Sequence, residues 1–324
     1  MSIRIRLLED IEMKETKGIN EADNIEILSN MNPEDFINDK TYDAGMVLQG
    51  GAMRGMYTAG VLDVLMENKI WIKSFVGVSA GSCFGCNYKS RQIGRTIRYN
   101  KRFCNDKRYG SLWSLIRTGD VYDVKFCYDE LPNIYDKFDM KTFRNNPVEF
   151  WSVSTDVDTG KPFYYKFKDF LGDEPMHMCA SASMPVVSRI VKIGDKGYLD
   201  GGISDPIPLK FAQEEFGYKK NIVILTRDAS YEEKPCRFMR TIKFCLRKYP
   251  KIVEQMANGH ELFANQVDYV LEQEKLGNCF VIRPSRPITV SSTENNPDKL
   301  EETYQMGRED ALNELEKLRE YLGS

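Results

Sequence analysis

The stretch Phe75-Val76-Gly77-Val78-Ser79-Ala80-Gly81-Ser82 decides how this chain folds. An apolar run leads into Gly-x-Ser-x-Gly, and small residues follow before a predicted helix. A serine at the tip of a tight strand-to-helix turn needs glycines two residues to either side, because a Cβ there would clash across the bend. The stretch therefore predicts a strand, a sharp turn that presents the Ser79 hydroxyl, and a helix.

A similar unit lies upstream of this stretch. Residues 44–48 form an apolar run that ends at Gln49 and enters Gly50-Gly51-Ala52-Met53-Arg54-Gly55. Residues 56–66 then carry apolar side chains at helical spacing. Strand, glycine turn and helix in this order form the first half of a βαβ unit, so the chain is predicted to be an α/β protein.

The remaining elements follow from the same patterns. Residues 89–145 are predicted to be largely irregular, and 258–259 are a candidate interruption of a long helix. Further strands are predicted at 150–154, 163–167, 190–193, 198–199, 222–225 and 279–282, and helices at 176–184, 206–216, 251–275 and from 297 onward. The predicted organisation is an N-terminal extension over 1–42, a catalytic core over 43–230, and a mostly helical region over 231–324 that packs on or completes the core.

Composition narrows the function classes. The 324 residues carry 45 Lys and Arg against 48 Asp and Glu, a net charge of −3, which gives no general case for a nucleic-acid partner. The N-terminus lacks the apolar segment of a signal peptide, and no run approaches the ~18 apolar residues of a membrane span. Eight scattered cysteines are typical of reduced thiols in a cytoplasmic protein.

A serine hydroxyl is a poor nucleophile until a base removes its proton. The sequence has two histidines, His177 and His260, and neither lies where a strand ends in a loop, so we predict structural roles for both. Asp200 does follow a predicted strand, and Gly201-Gly202 lets the backbone fold tightly behind it. By itself Asp-Gly-Gly also fits a plain turn, but beside the Ser79 turn a carboxylate base is favoured.

The glycine loop that begins at Gly50 offers closely spaced N–H groups at a helix N-terminus, where an oxyanion is stabilised. A nucleotide-phosphate cradle is the competing interpretation. The loop lacks the Gly-Lys-Ser/Thr ending of a P-loop, and no ribose-binding acid follows on a second strand.

These three motifs, in this order, resemble those of the patatin-like phospholipase family, which uses a glycine-rich oxyanion loop, a Gly-x-Ser-x-Gly nucleophile and an Asp-Gly-Gly or Asp-Gly-Ala aspartate. The segment Ala180-Ser181-Ala182-Ser183-Met184-Pro185 also resembles the family's segment ahead of the aspartate. The resemblance implies a three-layer α/β/α fold with a mainly parallel central sheet. It further implies Ser79 as nucleophile, Asp200 as base, and an oxyanion hole formed by Gly50, Gly51 and Ala52, with Arg54, Gly55, Gly77, Gly81, Gly201 and Gly202 supporting the motifs.

One departure concerns Ala52, where the motif has glycine. An alanine still offers its N–H if its φ is negative, and we expect that conformation. The function implied by the resemblance is hydrolysis of acyl esters of phospholipids or related lipids through an acyl-enzyme, with no metal or cofactor. A general esterase or thioesterase, and a non-catalytic lipid- or partner-binding protein on the same fold, remain as alternatives.

Three further features admit two interpretations each. The stretch between Lys89 and Arg108 holds eight basic residues and one acid, which indicates either a solvated helix face or a peripheral contact with an anionic membrane. Ser111–Ile116 fits a packed helix better than a lid or membrane segment. Cys83-x-x-Cys86 has no second pair at metal-ligand spacing, so we predict that both cysteines pack structurally.

Overall fold

The computed structural model describes residues 41–323, so the predicted N-terminal extension lies almost entirely outside the described residues. The strands are β1 Thr41–Leu48, β2 Trp71–Val78, β3 Glu149–Asp156, β4 Pro162–Phe167, β5 Val191–Ile193, β6 Lys196–Asp200, β7 Lys220–Ile224 and β8 Cys279–Ile282. The helices are α1 Gly55–Glu67, α2 Ala80–Lys89, α3 Arg95–Phe103, α4 Leu112–Thr118, α5 Met140–Asn145, α6 Glu174–Ser181, α7 Leu209–Phe211, α8 Met239–Cys245, α9 Pro250–Lys275 and α10 Pro297–Gly323.

The strands form one mixed sheet in the order β5-β6-β3-β2-β1-β7-β8, with β4 paired to β3 outside this path. The pairs β1–β2, β1–β7, β2–β3 and β7–β8 are parallel. The pairs β3–β4, β3–β6 and β5–β6 are antiparallel. Parallel pairing therefore dominates the centre of the sheet, and antiparallel pairing is confined to the end that carries β6.

Helices cover both faces of this sheet. Met46 and Leu48 of β1 pack in one core cluster with residues of α1 and α10, whereas Val47 packs in another with Val270 of α9. Successive side chains of a strand point to opposite faces, so these two clusters are two layers of core separated by the sheet. The predicted α/β/α architecture is confirmed.

The C-terminal part of the chain contributes to both the sheet and a helical layer. Strand β8 extends the sheet beyond β7. Helix α10 lies so close to α1 that a Cβ on Gly60 would be 2.1 Å from the Tyr304 carbonyl oxygen, and one on Gly307 would be 2.1 Å from that of Tyr57. Glycine at both positions permits this approach.

Two predictions of local structure are wrong. The region predicted to be irregular contains α3, α4, α5 and a π-helical segment, Phe126–Tyr135, which holds Pro132. Helix α9 runs without a break through Gly259, where a Cβ would meet nothing within 4 Å. A glycine costs an exposed helix only about 1 kcal/mol, and α9 is anchored by buried Ile252 and Val270.

Candidate active site

Ser79 lies in the turn between β2 and α2, as the sequence predicts. Its φ of 53° and ψ of −120° lie outside the regions that a serine ordinarily adopts. A Cβ on Gly77 would lie 2.6 Å from the backbone of Gly81, and one on Gly81 would lie 2.4 Å from the Leu48 carbonyl oxygen. Both flanking glycines are therefore required by direct backbone contact.

The sheet brings Asp200 to Ser79. Strand β2 pairs with β3 up to Val78, opposite Val153, and β6 pairs with β3 from Asp200, opposite Ser154. Because β4 occupies the other edge of β3, β2 and β6 follow one another along a single edge with their carboxyl ends facing. This arrangement places the Ser79 hydroxyl beside the Asp200 carboxylate, where it acts to lower the pKa of that group.

The Asp200 carboxylate is buried, with 6% of the residue exposed. Burial raises its pKa from 3.8 to about 6, while the Ser79 hydroxyl and the Gly202 amide act in the opposite direction. The Gly202 N–H lies 2.7 Å from Oδ1. At neutral pH the carboxylate is ionised and is a stronger base than an exposed aspartate, which suits it to accept a proton.

The C-terminal end of α6 and the residues that follow it hold the serine and the aspartate in register. The Ser79 N–H donates to Ser181 Oγ at 3.0 Å, and the Asp200 N–H donates to the Ser183 carbonyl oxygen at 2.9 Å. Both serines are buried, and Ser183 Oγ is itself bonded to the Cys179 carbonyl oxygen at 2.8 Å. Sequence patterns do not reveal this role of Ser181, because a hydroxyl that binds a distant amide leaves no local pattern.

The predicted glycine loop borders the same serine. A Cβ on Gly50 would lie 3.0 Å from Ser79 Cβ, and the Gly50 carbonyl oxygen accepts a hydrogen bond of 2.6 Å from Thr226 Oγ1. Within residues 41–323 the amides of Gly50 and Gly51 donate no hydrogen bond. Both residues are half-buried and line the adjacent cleft, so their amides are available to a ligand there.

The expected negative φ at Ala52 is wrong. Its φ is 50°, in the left-handed region, and the preceding Gly51 has φ 156°. A Cβ on Gly51 would also lie 2.7 Å from Thr226 Oγ1, so alanine is excluded at position 51. At position 52 alanine is tolerated, but with backbone strain. The loop therefore keeps the glycine-like conformation despite the substitution, at a cost of about 1 kcal/mol.

The remaining motif residues shape the walls of the site. Burial, followed by the charge of Arg227, lowers the pKa of Arg54 to about 10, and this guanidinium lines the cleft. A Cβ on Gly55 would lie 2.8 Å from the Phe84 ring, and one on Gly201 would lie 2.4 Å from the Val153 carbonyl oxygen. These two glycines allow helix and strand to approach the turn.

Ser79 lines two pockets, a cavity and a cleft. On one side is a cavity of about 140 Å³ whose walls are mainly aromatic and aliphatic, including Phe84, Tyr99, Leu131 and Met178. On the other is a cleft of about 390 Å³, which Asp200, the glycine loop and Arg54 also line. Ser79 therefore lines both an apolar cavity and a more polar cleft.

The histidines differ from each other in position. His177 is buried and stacks on Tyr165, with ring centroids 3.6 Å apart, and burial lowers its pKa. His260 lines the cleft with Ser79, which the sequence analysis did not anticipate. The helical periodicity of α9 does not indicate that His260 borders this cleft, because the cleft forms only in the tertiary structure.

All eight cysteines are free thiols, as predicted. Cys83 and Cys86 lie on α2, where burial raises their pKa values to about 11 and about 12. Both line the apolar cavity. Within residues 41–323 no three His, Cys, Asp or Glu side chains are grouped to hold a metal ion.

The basic stretch between Lys89 and Arg108 is largely neutralised inside the protein. Lys89 is buried and donates to the Asn146 and Val148 carbonyl oxygens. The other basic side chains of the stretch that form ion pairs are Arg95 and Arg98 with Asp136, Lys101 with Glu301, and Arg108 with Asp106 and Glu130. The stretch therefore offers few charges to an anionic surface.

Helix α4 corrects the prediction for Ser111–Ile116. Leu112 and Ile116 are 70% and 79% exposed, and Trp113 is 43% exposed, while Ser114 is buried and donates to the Asp120 carbonyl oxygen. The helix turns its polar residue inward, because the turn that follows supplies a carbonyl partner for it. In the part of the chain that the structure describes, no helix has the length and apolarity needed to cross a membrane.

The comparisons with known proteins identify the family of this chain. The sequence model described as patatin-like phospholipase matches residues 46–212, which contain the glycine loop, Ser79 and Asp200. The chain belongs to the patatin-like phospholipase family. Membership of this family supports lipid hydrolase activity in general. Residues 249–323 of this patatin-like chain also match a domain of unknown function, DUF6363.

Curated relatives are similar at moderate identity. The uncharacterized protein YjjU of Escherichia coli is 27% identical over 81% of this chain and 74% of its own length. The probable lipid hydrolase 463L of Invertebrate iridescent virus 6 is 26% identical over 59% of this chain and 70% of its own length. Lysophospholipase nte1 of Aspergillus fumigatus is 27% identical over 50% of this chain but only 10% of its own length.

Among solved structures, VipD from Legionella pneumophila matches with a TM-score of 0.41 at 13% identity, covering 85% of this chain and 67% of that one.

Proposed function

We propose that this protein is a serine acyl hydrolase that cleaves acyl esters of phospholipids with a Ser79–Asp200 dyad. The observation that carries the proposal is that the strand ends of the sheet bring the Ser79 hydroxyl beside a buried carboxylate, with both residues lining one cleft. A nucleophile and a base in contact are the minimum apparatus for acyl transfer. A binding protein on the same fold would need neither the strained serine nor the buried charge.

The reaction proceeds in two steps. As Ser79 Oγ attacks the ester carbonyl carbon, Asp200 accepts its proton, and the negative charge on the carbonyl oxygen is stabilised by amides of Gly50, Gly51 and Ala52. The intermediate collapses, the C–O bond to the alcohol breaks, and the alcohol takes the proton from Asp200. Water then attacks the acyl-enzyme, Asp200 accepts a proton from it, and that proton returns to Ser79 as the fatty acid leaves.

The cavity and the cleft suggest where the acyl chain and the headgroup of the substrate bind. The apolar cavity suits an acyl chain, because its lining is mostly aromatic and aliphatic. The cleft suits the polar alcohol and headgroup, because Arg54, Lys234 and His260 line it. The names of the viral lipid hydrolase and the fungal lysophospholipase favour lipid esters over small esters or thioesters.

The proposal is tested by measuring fatty-acid release from phosphatidylcholine and lysophosphatidylcholine, and hydrolysis of a chromogenic acyl ester. Ser79→Ala and Asp200→Asn are expected to lose activity by about a thousandfold or more. The variant His177→Ala, at a histidine that lines neither the cavity nor the cleft, is the control and should keep its turnover. Cleavage of small esters or thioesters alone would favour the general esterase, and equal inactivity of all four proteins would favour the binding protein. The expected cytoplasmic location is checked by cell fractionation.

A further inference from the structure

Residues 234–248, which we call the basic segment, form a positively charged exposed stretch that begins at the cleft and continues beyond it. They contain six basic residues and no acidic one: Lys234, Arg237, Arg240, Lys243, Arg247 and Lys248. All six are exposed. Within residues 41–323 none of the six forms an ion pair, unlike the basic stretch between Lys89 and Arg108. Their charge is therefore available to a partner, although Glu232 and Glu233 precede the segment.

The basic segment also exposes two large aromatic side chains. Phe238 is 71% exposed and Phe244 is 70% exposed. Phe238 immediately precedes the short helix α8, and Phe244 lies in its last turn. The helix is anchored to the protein because Ile242 and Leu246 are buried in a cluster with Leu199. The outward direction of the aromatic and basic side chains is thus set by packing. Segments that combine aromatic rings with cationic side chains bind at the boundary between the headgroups and the acyl chains of an anionic bilayer.

The basic segment is continuous with the candidate active site. Lys234 and Cys236 line the cleft that Ser79 and Asp200 also line. The cluster that anchors α8 contains Leu199 and Ile203, which lie on either side of Asp200 in sequence. A bilayer surface bound by this segment would therefore lie at the rim of the cleft.

We propose that the basic segment docks the protein on anionic phospholipid surfaces, with Phe238 and Phe244 entering the headgroup region. Six cations without acidic partners match the negative potential of such a surface, and two exposed rings match its apolar edge. Docking does not require hydrolysis, so it is separable from the proposed function. It explains how a cleft whose walls include Lys234 reaches lipid that remains in a bilayer.

The test uses the full-length Ser79→Ala protein, so that the vesicles are not degraded. Sedimentation with equimolar phosphatidylglycerol and phosphatidylcholine vesicles should show binding that weakens with added salt, and phosphatidylcholine vesicles alone should bind weakly. Adding Arg240→Ala, Lys243→Ala and Arg247→Ala should weaken binding by about a hundredfold. A matched control, Lys141→Ala/Lys192→Ala/Lys219→Ala, removes the same charge from exposed lysines elsewhere and should bind as before.

A second measurement locates the contact. Cys245 is the one exposed cysteine of the eight, so a polarity-sensitive fluorophore attached there should shift to the blue when anionic vesicles are added. Phe238→Ser/Phe244→Ser should reduce both the shift and the binding. Equal losses in the triple variant and its lysine control, equal binding to both kinds of vesicle, or an unshifted probe on bound protein would each overturn the proposal. Ester hydrolysis without vesicles is measured separately and reports only on the dyad.

Discussion

Replacing Asp200 by asparagine should abolish activity and at the same time stabilise the fold. Burial raises the pKa of this carboxyl from 3.8 to about 6. Because each pKa unit corresponds to about 1.4 kcal/mol, the ionised carboxylate costs the folded state up to about 3 kcal/mol at neutral pH. Asparagine is isosteric: its Oδ1 still accepts the Gly202 N–H, and its amide donates to Ser79 Oγ. The variant should therefore gain up to about 3 kcal/mol of unfolding free energy near neutral pH.

The sign of the pH dependence follows from the raised pKa. Protonation of Asp200 favours the folded state, so this group's contribution to stability is complete below about pH 4 and is lost as the pH rises through about 6. Denaturant unfolding of wild type and Asp200→Asn should consequently differ most at neutral pH and converge toward about pH 4. The exposed Asp195→Asn is the chemical control and should leave both stability and ester hydrolysis unchanged. An asparagine variant that is less stable than wild type at neutral pH, or a difference that does not shrink in acid, would refute the reasoning.

Further outcomes are expected from the same geometry. The kcat/KM of the wild type should fall about tenfold per pH unit below about pH 6, because only ionised Asp200 accepts the Ser79 proton; a profile flat to pH 4 would contradict this role. Ser181→Ala should destabilise the fold by about 1–3 kcal/mol and lower kcat, because the buried Ser79 amide loses its acceptor; denaturation and kinetics together check it. Ala52→Gly should raise the unfolding free energy by about 0.5–1 kcal/mol by relieving the positive φ, which thermal melting measures. Val124→Trp at the cavity wall should slow long-chain esters at least about tenfold more than short-chain ones, and an equal effect on both would remove the cavity as the acyl site.

Local features of the fold were predictable from the sequence. Strand-turn-helix order around Ser79 and the glycine loop follows from glycine spacing and apolar periodicity, which act over a few residues. The later strands and the two long C-terminal helices follow from the same periodicity. The region between α2 and β3 was predicted poorly, because its short helices and π-helical segment are stabilised by contacts such as Arg95 with Asp136 rather than by local pattern.

The site itself shows where sequence and tertiary structure divide. The sequence by itself determined that Ser79 sits in a sharp turn and that a carboxylate follows a strand at Asp200, because backbone sterics demand glycines at those places. Only the tertiary structure decided that the two meet, since β2 and β6 end against each other along one edge of β3 although 121 positions separate them. It also decided which charges are free. Four of the eight basic side chains between Lys89 and Arg108 pair with acids, most of them from distant segments, while within residues 41–323 the basic side chains of 234–248 have no acidic partner. The difference arises because ion pairing depends on spatial rather than sequence neighbours.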